Sequence, residues 1–293
     1  MAEHISNDQI IVVDYQGSRF TTWQSISCSG QDDFIPDWDL SCDDLLNIQY
    51  TSGTTGFPKG CMQTQNYWIL LGCVVDSMLD YSIENILTDH SFYYMDPQWQ
   101  LVMALHCGAR LNVAGRLSAS QFIHRVETYD IDMAWIPRPL LSQKSSPDDI
   151  NLPLKKLFIG GASAENIAQL QQRFGIKVSN AYGMTEIGPG LIVPEEISDA
   201  EVLGTCGLIA PFRQCKVVLE NGEQAAANVP GELWIKGDGI FKGYYNKPEA
   251  NKESFVDGWF RTGDKFIQTE NGYFKIIGRF KDMIRRSSEN ISA

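Results

Sequence analysis

The sequence is poor in the residues that build metal clusters and disulfide frameworks. Its four histidines, at 4, 90, 106 and 124, form no ligand cluster. Its seven cysteines, at 28, 42, 61, 73, 107, 206 and 215, are odd in number, and no pair has C-x-x-C spacing. Reduced, mostly buried thiols are therefore expected. His106 beside Cys107 invites a catalytic reading, but two core residues on a helix account for the pair. Long apolar runs are missing too. The longest, 67–75, stops at Asp76, far short of a membrane span. A basic excess is also lacking: Lys and Arg number 24 against 36 Asp and Glu, for a net charge of −12. That balance argues against a nucleic-acid binder and against attachment to an anionic membrane surface. The opening Met1-Ala2-Glu3-His4 is polar and reads as no signal peptide, so a cytoplasmic location is expected. The acidic approach 32–44 lacks the Gly and terminal Glu of a calcium loop and reads as solvated.

What remains is the composition of a globular protein. With 293 residues, 43% apolar and 20% charged, the chain can bury the core of one large or two ordinary domains. Strands are expected at 10–15, 45–50, 109–114, 131–136, 154–161 and 177–181, with 109–114 and 131–136 buried. Helices are expected at 66–78, about 98–107, 118–129 and 164–174. In the third helix Phe122, Val126 and Tyr129 share a face, and Gly175 closes the fourth. This alternation predicts an α/β layer around a largely parallel sheet. From about Gly204 the texture changes to short strands, 215–220, 231–236, 265–269 and 273–277, with Asn221-Gly222 and Asn271-Gly272 turns. A small antiparallel sheet or distorted barrel is expected there. The polar 278–293 reads as a linker.

The densest chemical signal is the stretch 50–60, YTSGTTGFPKG, with three glycines, four Ser and Thr hydroxyls and one lysine. Glycines let the backbone approach a ligand, and successive amides with hydroxyls suit an anion. The spacing is not the common G-x-x-x-x-G-K-[ST] loop, and G-x-G-x-x-G is absent. An expected strand before the loop and an expected helix after it favour a phosphate loop over a flexible connector. A second stretch, 180–186, NAYGMTE, places an aromatic ring, a hydroxyl and a carboxylate directly after a buried strand, where α/β sheets bind ligands. Gly160-Gly161-Ala162 precedes a helix N-terminus. Two further stretches are 258–264, GWFRTGD, and 278–284, GRFKDMI.

The stretch 50–60 resembles the phosphate-loop signature of the adenylate-forming superfamily, which contains acyl-CoA synthetases, luciferases and the adenylation domains of peptide synthetases. The stretches 180–186, 258–264 and 278–284 resemble its next three signatures, in family order. The resemblance implies that Thr51, Ser52, Gly53, Thr54, Thr55, Gly56 and Lys59 hold the β- and γ-phosphates of ATP. It implies that Gly160, Gly161 and Ala162 line the adenine pocket with Asn180, Ala181, Tyr182, Gly183 and Met184, and that Tyr182 flanks the base. Thr185 would contact the α-phosphate and Glu186 would bind Mg²⁺, so Lys59, Thr185 and Glu186 carry catalysis. Asp264 would grip both ribose hydroxyls, and Arg279 would meet ribose and phosphate beside a Lys281-Asp282 hinge. An acyl pocket is implied around Tyr94, Asp96, Trp99, Trp135, Gly183 and Gly188. Its aromatics suggest a bounded pocket, and the texture is similar to crotonobetaine/carnitine-CoA ligases, with Asp96 facing a cationic substrate group.

The implied reaction is ATP-dependent activation of a small carboxylic acid and transfer of the acyl group to coenzyme A. The alternatives are an adenylation domain that feeds a carrier protein and a nucleotide-binding remnant. The resemblance further implies a division into an N-terminal remnant of the large domain (1–44), an α/β nucleotide- and acyl-binding part (45–203), an antiparallel part (204–278), and a hinge with the start of a further domain (279–293). A chain truncated at both ends is expected, with its own activity open, and so is a homo-oligomer or a complementing chain.

Overall fold

The computed structural model describes residues 11–12, 21–29, 39–51, 58–79, 82–194, 200–280, 283–286 and 289–292. The chain divides into two units, Met1–Ser41 and Cys42–Ala293. In the first, β1 (Ile11–Val12) pairs in parallel with β2 (Thr21–Thr22), and α1 (Trp23–Ser29) follows. The rest of the expected strand 10–15 lies outside the described residues, as do 52–57 of the glycine loop.

The second unit opens on an antiparallel pair, β3 (Leu45–Thr51) and β4 (Lys59–Thr64), with Thr51 opposite Lys59. This corrects the strand–loop–helix expectation. The loop joins two strands, and Lys59 begins a strand, not the approach to a helix. α2 (Gln65–Ser77) starts only at Gln65, where the Thr64 hydroxyl accepts from the Tyr67 amide at 3.1 Å. Next come β5 (Asn85–Thr88), α3 (Met95–Cys107), β6 (Arg110–Val113), α4 (Ala119–Thr128) and β7 (Met133–Trp135). Two 3₁₀ turns, Arg138–Ser142 and Pro147–Asn151, lead to β8 (Lys156–Gly160), α5 (Ala164–Phe174), β9 (Val178–Met184), β10 (Gly188–Ile192), α6 (Ala200–Leu203) and β11 (Leu208–Ile209). Helix α5 shows how directly local sequence acts. Ser163 caps the Asn166 amide at 3.2 Å, Ile167, Leu170 and Phe174 form the buried stripe, and Gly175 ends it at φ 68°.

These strands form a seven-stranded sheet ordered β11-β10-β9-β8-β7-β5-β6, parallel from β6 to β9 and antiparallel at β10 and β11. Strand β6 is the sheet edge, and Arg110 and Val113 are exposed, so 109–114 is not the buried strand expected. In α4, Phe122 and Val126 are buried, but Tyr129 lies past the helix end and is exposed. Strand β9 runs on through Met184, so the motif 180–186 begins inside the strand and does not follow it.

A second, antiparallel sheet comprises β12 (Arg213–Val218), β13 (Gly231–Gly237), β14 (Phe255–Val256), β15 (Trp259–Gln268) and β16 (Phe274–Arg279), with α7 (Pro248–Ser254) before β14. The expected linker carries structure instead. Arg279 ends β16, and β17 (Met283–Arg286) pairs with β18 (Glu289–Ser292). One core cluster joins both sheets, with Tyr182, Ile187 and Leu191 packed with Leu233, Phe241, Phe260 and Phe266. The buried Arg213 guanidinium ties the same seam by donating to the carbonyls of Pro189, Asp238 and Gly239. Among the described residues no helix is long and apolar enough to cross a membrane.

Candidate active site

The parallel strands β5, β7, β8 and β9 end at Thr88, Trp135, Gly160 and Met184, and the turns bearing Gly160–Ala162 and Glu186 follow β8 and β9. Between β9 and β10 the chain reverses in four residues, closed by the Ile187 amide on the Met184 carbonyl at 3.0 Å. That turn carries Thr185 and Glu186. It requires glycine at both shoulders: a Cβ on Gly183 would stand 2.6 Å from the Gly188 carbonyl oxygen, and Gly188 adopts φ +61°. The Thr185 carbonyl accepts from Gln63 Nε2 and from the Tyr67 hydroxyl, both at 2.9 Å. Strand β4 and helix α2 thereby hold the turn in place.

Glu186 is buried, and its Oε1 accepts from the Tyr244 hydroxyl at 2.8 Å. Lys59 Nζ lies 4.7 Å above the Tyr244 ring. The segment containing Tyr244 runs beside β4, with Met62 N on Gly243 O at 2.9 Å and Tyr245 N on Gly60 O at 2.8 Å. Burial raises the Glu186 pKa against the opposing pull of the Tyr244 hydroxyl and of Lys59. Burial, then the neighbouring Glu186 charge, pushes the Cys61 thiol far above its ordinary range. Glu186 thus carries an acceptor in a dry setting with incomplete charge compensation.

Asp264 forms the second cluster. It is 1% exposed, and both of its oxygens are engaged: Oδ2 accepts from the Tyr182 hydroxyl at 2.6 Å, and Oδ1 meets Arg279 Nε at 2.7 Å. The Thr262 hydroxyl accepts the Asp264 amide at 3.2 Å and donates to the Leu233 carbonyl at 2.8 Å. The Tyr182 ring is edge-on to Phe266 at 4.9 Å, inside the core. Burial, then the Asp264 charge, raises the Tyr182 phenol well above its usual value.

The third cluster is the turn after β8. Asn180 donates to the Thr205 carbonyl at 2.8 Å and to the Ala162 carbonyl at 3.4 Å, and accepts from the Ala162 amide at 3.4 Å. Arg138 donates to the carbonyls of Gly160 at 2.8 Å and Gly161 at 3.4 Å. Gly160 lies against Trp135, where a Cβ would come within 3.3 Å of the ring, and Gly161 adopts φ +61°.

Of the residues singled out from sequence, Lys59 and Glu186 share one cluster, Tyr182, Asp264 and Arg279 share another, and Gly160 to Ala162 with Asn180 form the third. Ala181 is buried in β9, and Met184 Sδ lies 3.7 Å from the Tyr182 hydroxyl. Ser52, Gly53, Thr54, Thr55 and Gly56 lie outside the described residues, while the Thr51 hydroxyl donates to the Lys59 carbonyl at 3.4 Å. Among the acyl-pocket candidates, Trp99 is 3% exposed in the core with Tyr67 and Trp68, and its Nε1 donates to Asp96 at 3.2 Å. Tyr94 occupies the N-cap position of α3 without a side-chain cap bond, its ring against Tyr93 at 4.3 Å, and Trp135 stacks on Phe158 at 6.1 Å. Sequence reasoning missed Tyr244, Gln63, Tyr67 and Arg138. None left a local trace, since β4 was not expected as a strand and the bonding partners of these residues lie far away in sequence. Among the described residues no group of three or more His, Cys, Asp or Glu is placed to hold a metal.

The chain resembles known proteins in sequence and in fold. The AMP-binding enzyme family matches residues 2–245. A feruloyl-CoA synthase from Amycolatopsis sp is 29% identical over 270 residues, which are 89% of this chain and 54% of that protein. A long-chain-fatty-acid–CoA ligase from Haemophilus influenzae is 30% identical over 268 residues, 86% of this chain and 47% of that one. The chain therefore spans about half the length of the curated relatives it matches. In fold it is similar to the o-succinylbenzoate coenzyme A synthetase of Bacillus subtilis in complex with ATP and magnesium ion, with a TM-score of 0.78 at 23% identity over 93% of this chain and 58% of that one. Since the family match runs through more than half of the sequence and includes both the glycine loop and the Glu186 turn, this chain belongs to the AMP-binding enzyme family.

Proposed function

We propose that this chain takes part in ATP-dependent carboxylate activation followed by acyl transfer to coenzyme A. The carboxylate oxygen attacks the α-phosphorus of ATP and pyrophosphate leaves; the coenzyme A sulfur then displaces AMP from the acyl-adenylate. The observation that carries this reading is the Glu186 turn. A buried carboxylate, with a proton affinity raised by burial, accepts from Tyr244 near the Lys59 charge, and Tyr67 and Gln63 fix its turn through the Thr185 carbonyl. Such a carboxylate suits a hard cation that takes one protein oxygen and fills its other positions with phosphates and water, as Mg²⁺ does. Bound there, Mg²⁺ would neutralise phosphate charge as it develops.

The chain's own residues do the positioning. Lys59 sets a positive charge at the strand edge where the phosphates would lie, and the Thr185 hydroxyl sits on a turn with a fixed backbone. Asp264 and Arg279 offer an acceptor and a donor to the ribose, and Gly160 to Ala162 border the base. The acyl group would lie toward Tyr94, Asp96 and Trp135. CoA-ligase relatives support the class of reaction, and the free cysteines fit a cytoplasmic setting. The test is carboxylate-dependent exchange of labelled pyrophosphate into ATP over a panel of short, aryl and betaine-type acids. Exchange that needs both Mg²⁺ and one of the acids supports the reading. Failure to bind Mg·ATP at all would overturn it.

A further inference from the structure

A second cluster of reactive side chains lies away from these three, on the seam between α2 and α3. Cys73 Sγ stands 3.5 Å from His106 Nδ1, and His106 Nε2 stands 3.4 Å from Asp76 Oδ2. Cys73 and Asp76 lie three positions apart on α2, so they share a face, and His106 reaches them from the last turn of α3. The cluster meets solvent: the side chain of His106 is 48% exposed and that of Asp76 26%. The histidine's chemical partner is therefore Cys73, and neither the Cys107 pairing nor the core-helix reading of His106 describes it. No metal-binding group exists here among the described residues, so the chemistry is that of the thiol itself.

We propose that Cys73 is a nucleophilic, modifiable thiol, with His106 as its general base, and that its reagents are low-molecular-weight disulfides. The Asp76 carboxylate, 3.4 Å from Nε2, favours the proton on that nitrogen and so leaves the Nδ1 lone pair facing sulfur. In the step, Nδ1 takes the thiol proton while Cys73 sulfur attacks one sulfur of the disulfide. A new S–S bond forms, the old one breaks, and the departing thiolate recovers a proton from the imidazolium. Cys73 is oxidised to the mixed disulfide and one half of the reagent is reduced to thiol, so no further oxidant is needed. The other described cysteines lack this arrangement. Burial raises the thiols of Cys61, Cys107, Cys206 and Cys215, and Cys42 is exposed without a histidine on its sulfur.

An adduct at Cys73 is felt by the helix pair. Its neighbour Gly72 is a tight point of the seam, where a Cβ would come within 2.7 Å of Val102 Cγ1 and 2.8 Å of the Met103 amide nitrogen. A group as large as a second thiol, entering one residue away, loads a contact that has no slack. Helix α2 is also the element whose Tyr67 holds the Thr185 carbonyl.

The test follows each cysteine separately by mass spectrometry while the protein reacts with oxidised glutathione at pH 7, with Cys42 as internal control. Cys73 is expected to react fastest. His106→Gln should slow Cys73 by at least about tenfold, since an unassisted thiol is only a few per cent ionised at this pH, and should leave Cys42 unchanged. Asp76→Asn should slow it less. Cys73 reacting no faster than Cys42, or at a rate indifferent to His106→Gln, overturns the assignment. Hydrogen exchange of the α2 amides, before and after stoichiometric modification, reads the coupling: faster exchange is expected, and unchanged exchange overturns that part. Neither readout depends on nucleotide binding, so the outcome is separate from that of the proposed reaction.

Discussion

The Tyr182 hydroxyl donates to Asp264 Oδ2 at 2.6 Å, across 82 positions of sequence, and Arg279 Nε holds the other carboxylate oxygen at 2.7 Å. The carboxylate proposed to receive the ribose is thus held by two donors of the protein itself. Because the carboxylate is 1% exposed, a ribose must open this cluster to reach it, so the cluster opposes nucleotide binding while it stabilises the fold. Tyr182→Phe should separate these effects. Stability should fall by roughly 1.5–3 kcal/mol, the usual worth of a hydrogen bond to a charged group, while AMP affinity holds or improves. Denaturant unfolding and calorimetry check the pair of outcomes; lower AMP affinity with unchanged stability would assign Tyr182 a direct ligand role instead.

Gly183 permits the turn that bears Glu186. Because a Cβ there would meet the Gly188 carbonyl at 2.6 Å, Gly183→Ala should cost about 1–3 kcal/mol of stability by overpacking. It should also weaken Mg·ATP binding, because β10 cannot yield without shifting the turn. Gly115→Ala, where a Cβ meets nothing within 4 Å, is the control and should do neither.

His90 gives a pH signature. Its ring nitrogen lies 3.2 Å from the buried Asp89 carboxylate, whose hydrogen bond raises the imidazole pKa above 6.5 despite opposition from burial. A folded pKa above the unfolded one means that the pair's contribution is fully present below pH 6.5 and is lost as pH rises through the folded value. In an NMR titration His90 should protonate above 6.5 in the wild type and at a lower pH in Asp89→Asn, where burial is opposed only by the Asp96 charge. A wild-type titration at or below 6.5 would contradict the pairing.

Lys59 holds its charge 4.7 Å above the Tyr244 ring. Lys59→Ala combined with Thr54→Ala should weaken ATP binding by roughly 1–3 kcal/mol, and AMP binding much less. Equal affinity for ATP in the double variant and the wild type, measured calorimetrically, would remove the phosphate-loop assignment.

Much of this was legible where the determinants are local. Helix α5 announces itself with Ser163, the Ile167–Leu170–Phe174 stripe and Gly175. The four signatures mark the clusters because glycine, hydroxyl and charge recur at short spacing. What was hidden depends on distant partners. Strand β4 carries little apolar alternation in KGCMQT and is fixed by pairing with β3 and by the 242–245 segment beside it. Tyr244 meets Glu186 across 58 positions, and no local pattern distinguishes it from Tyr245, which is 47% exposed. The edge position of β6 likewise follows from strand order, which its own residues do not encode.

In the proposed division of labour, Glu186 serves the metal and polyphosphate and Asp264 serves the ribose. Calorimetric titration of Asp264→Ala and Glu186→Gln with Mg·ATP and with AMP tests it directly. Asp264→Ala should weaken both ligands by similar factors, on the order of tenfold or more for a lost charge-assisted bond. Glu186→Gln should weaken Mg·ATP and leave AMP nearly untouched. Equal losses of AMP and ATP in Glu186→Gln, or unchanged affinity for both in Asp264→Ala, would contradict it.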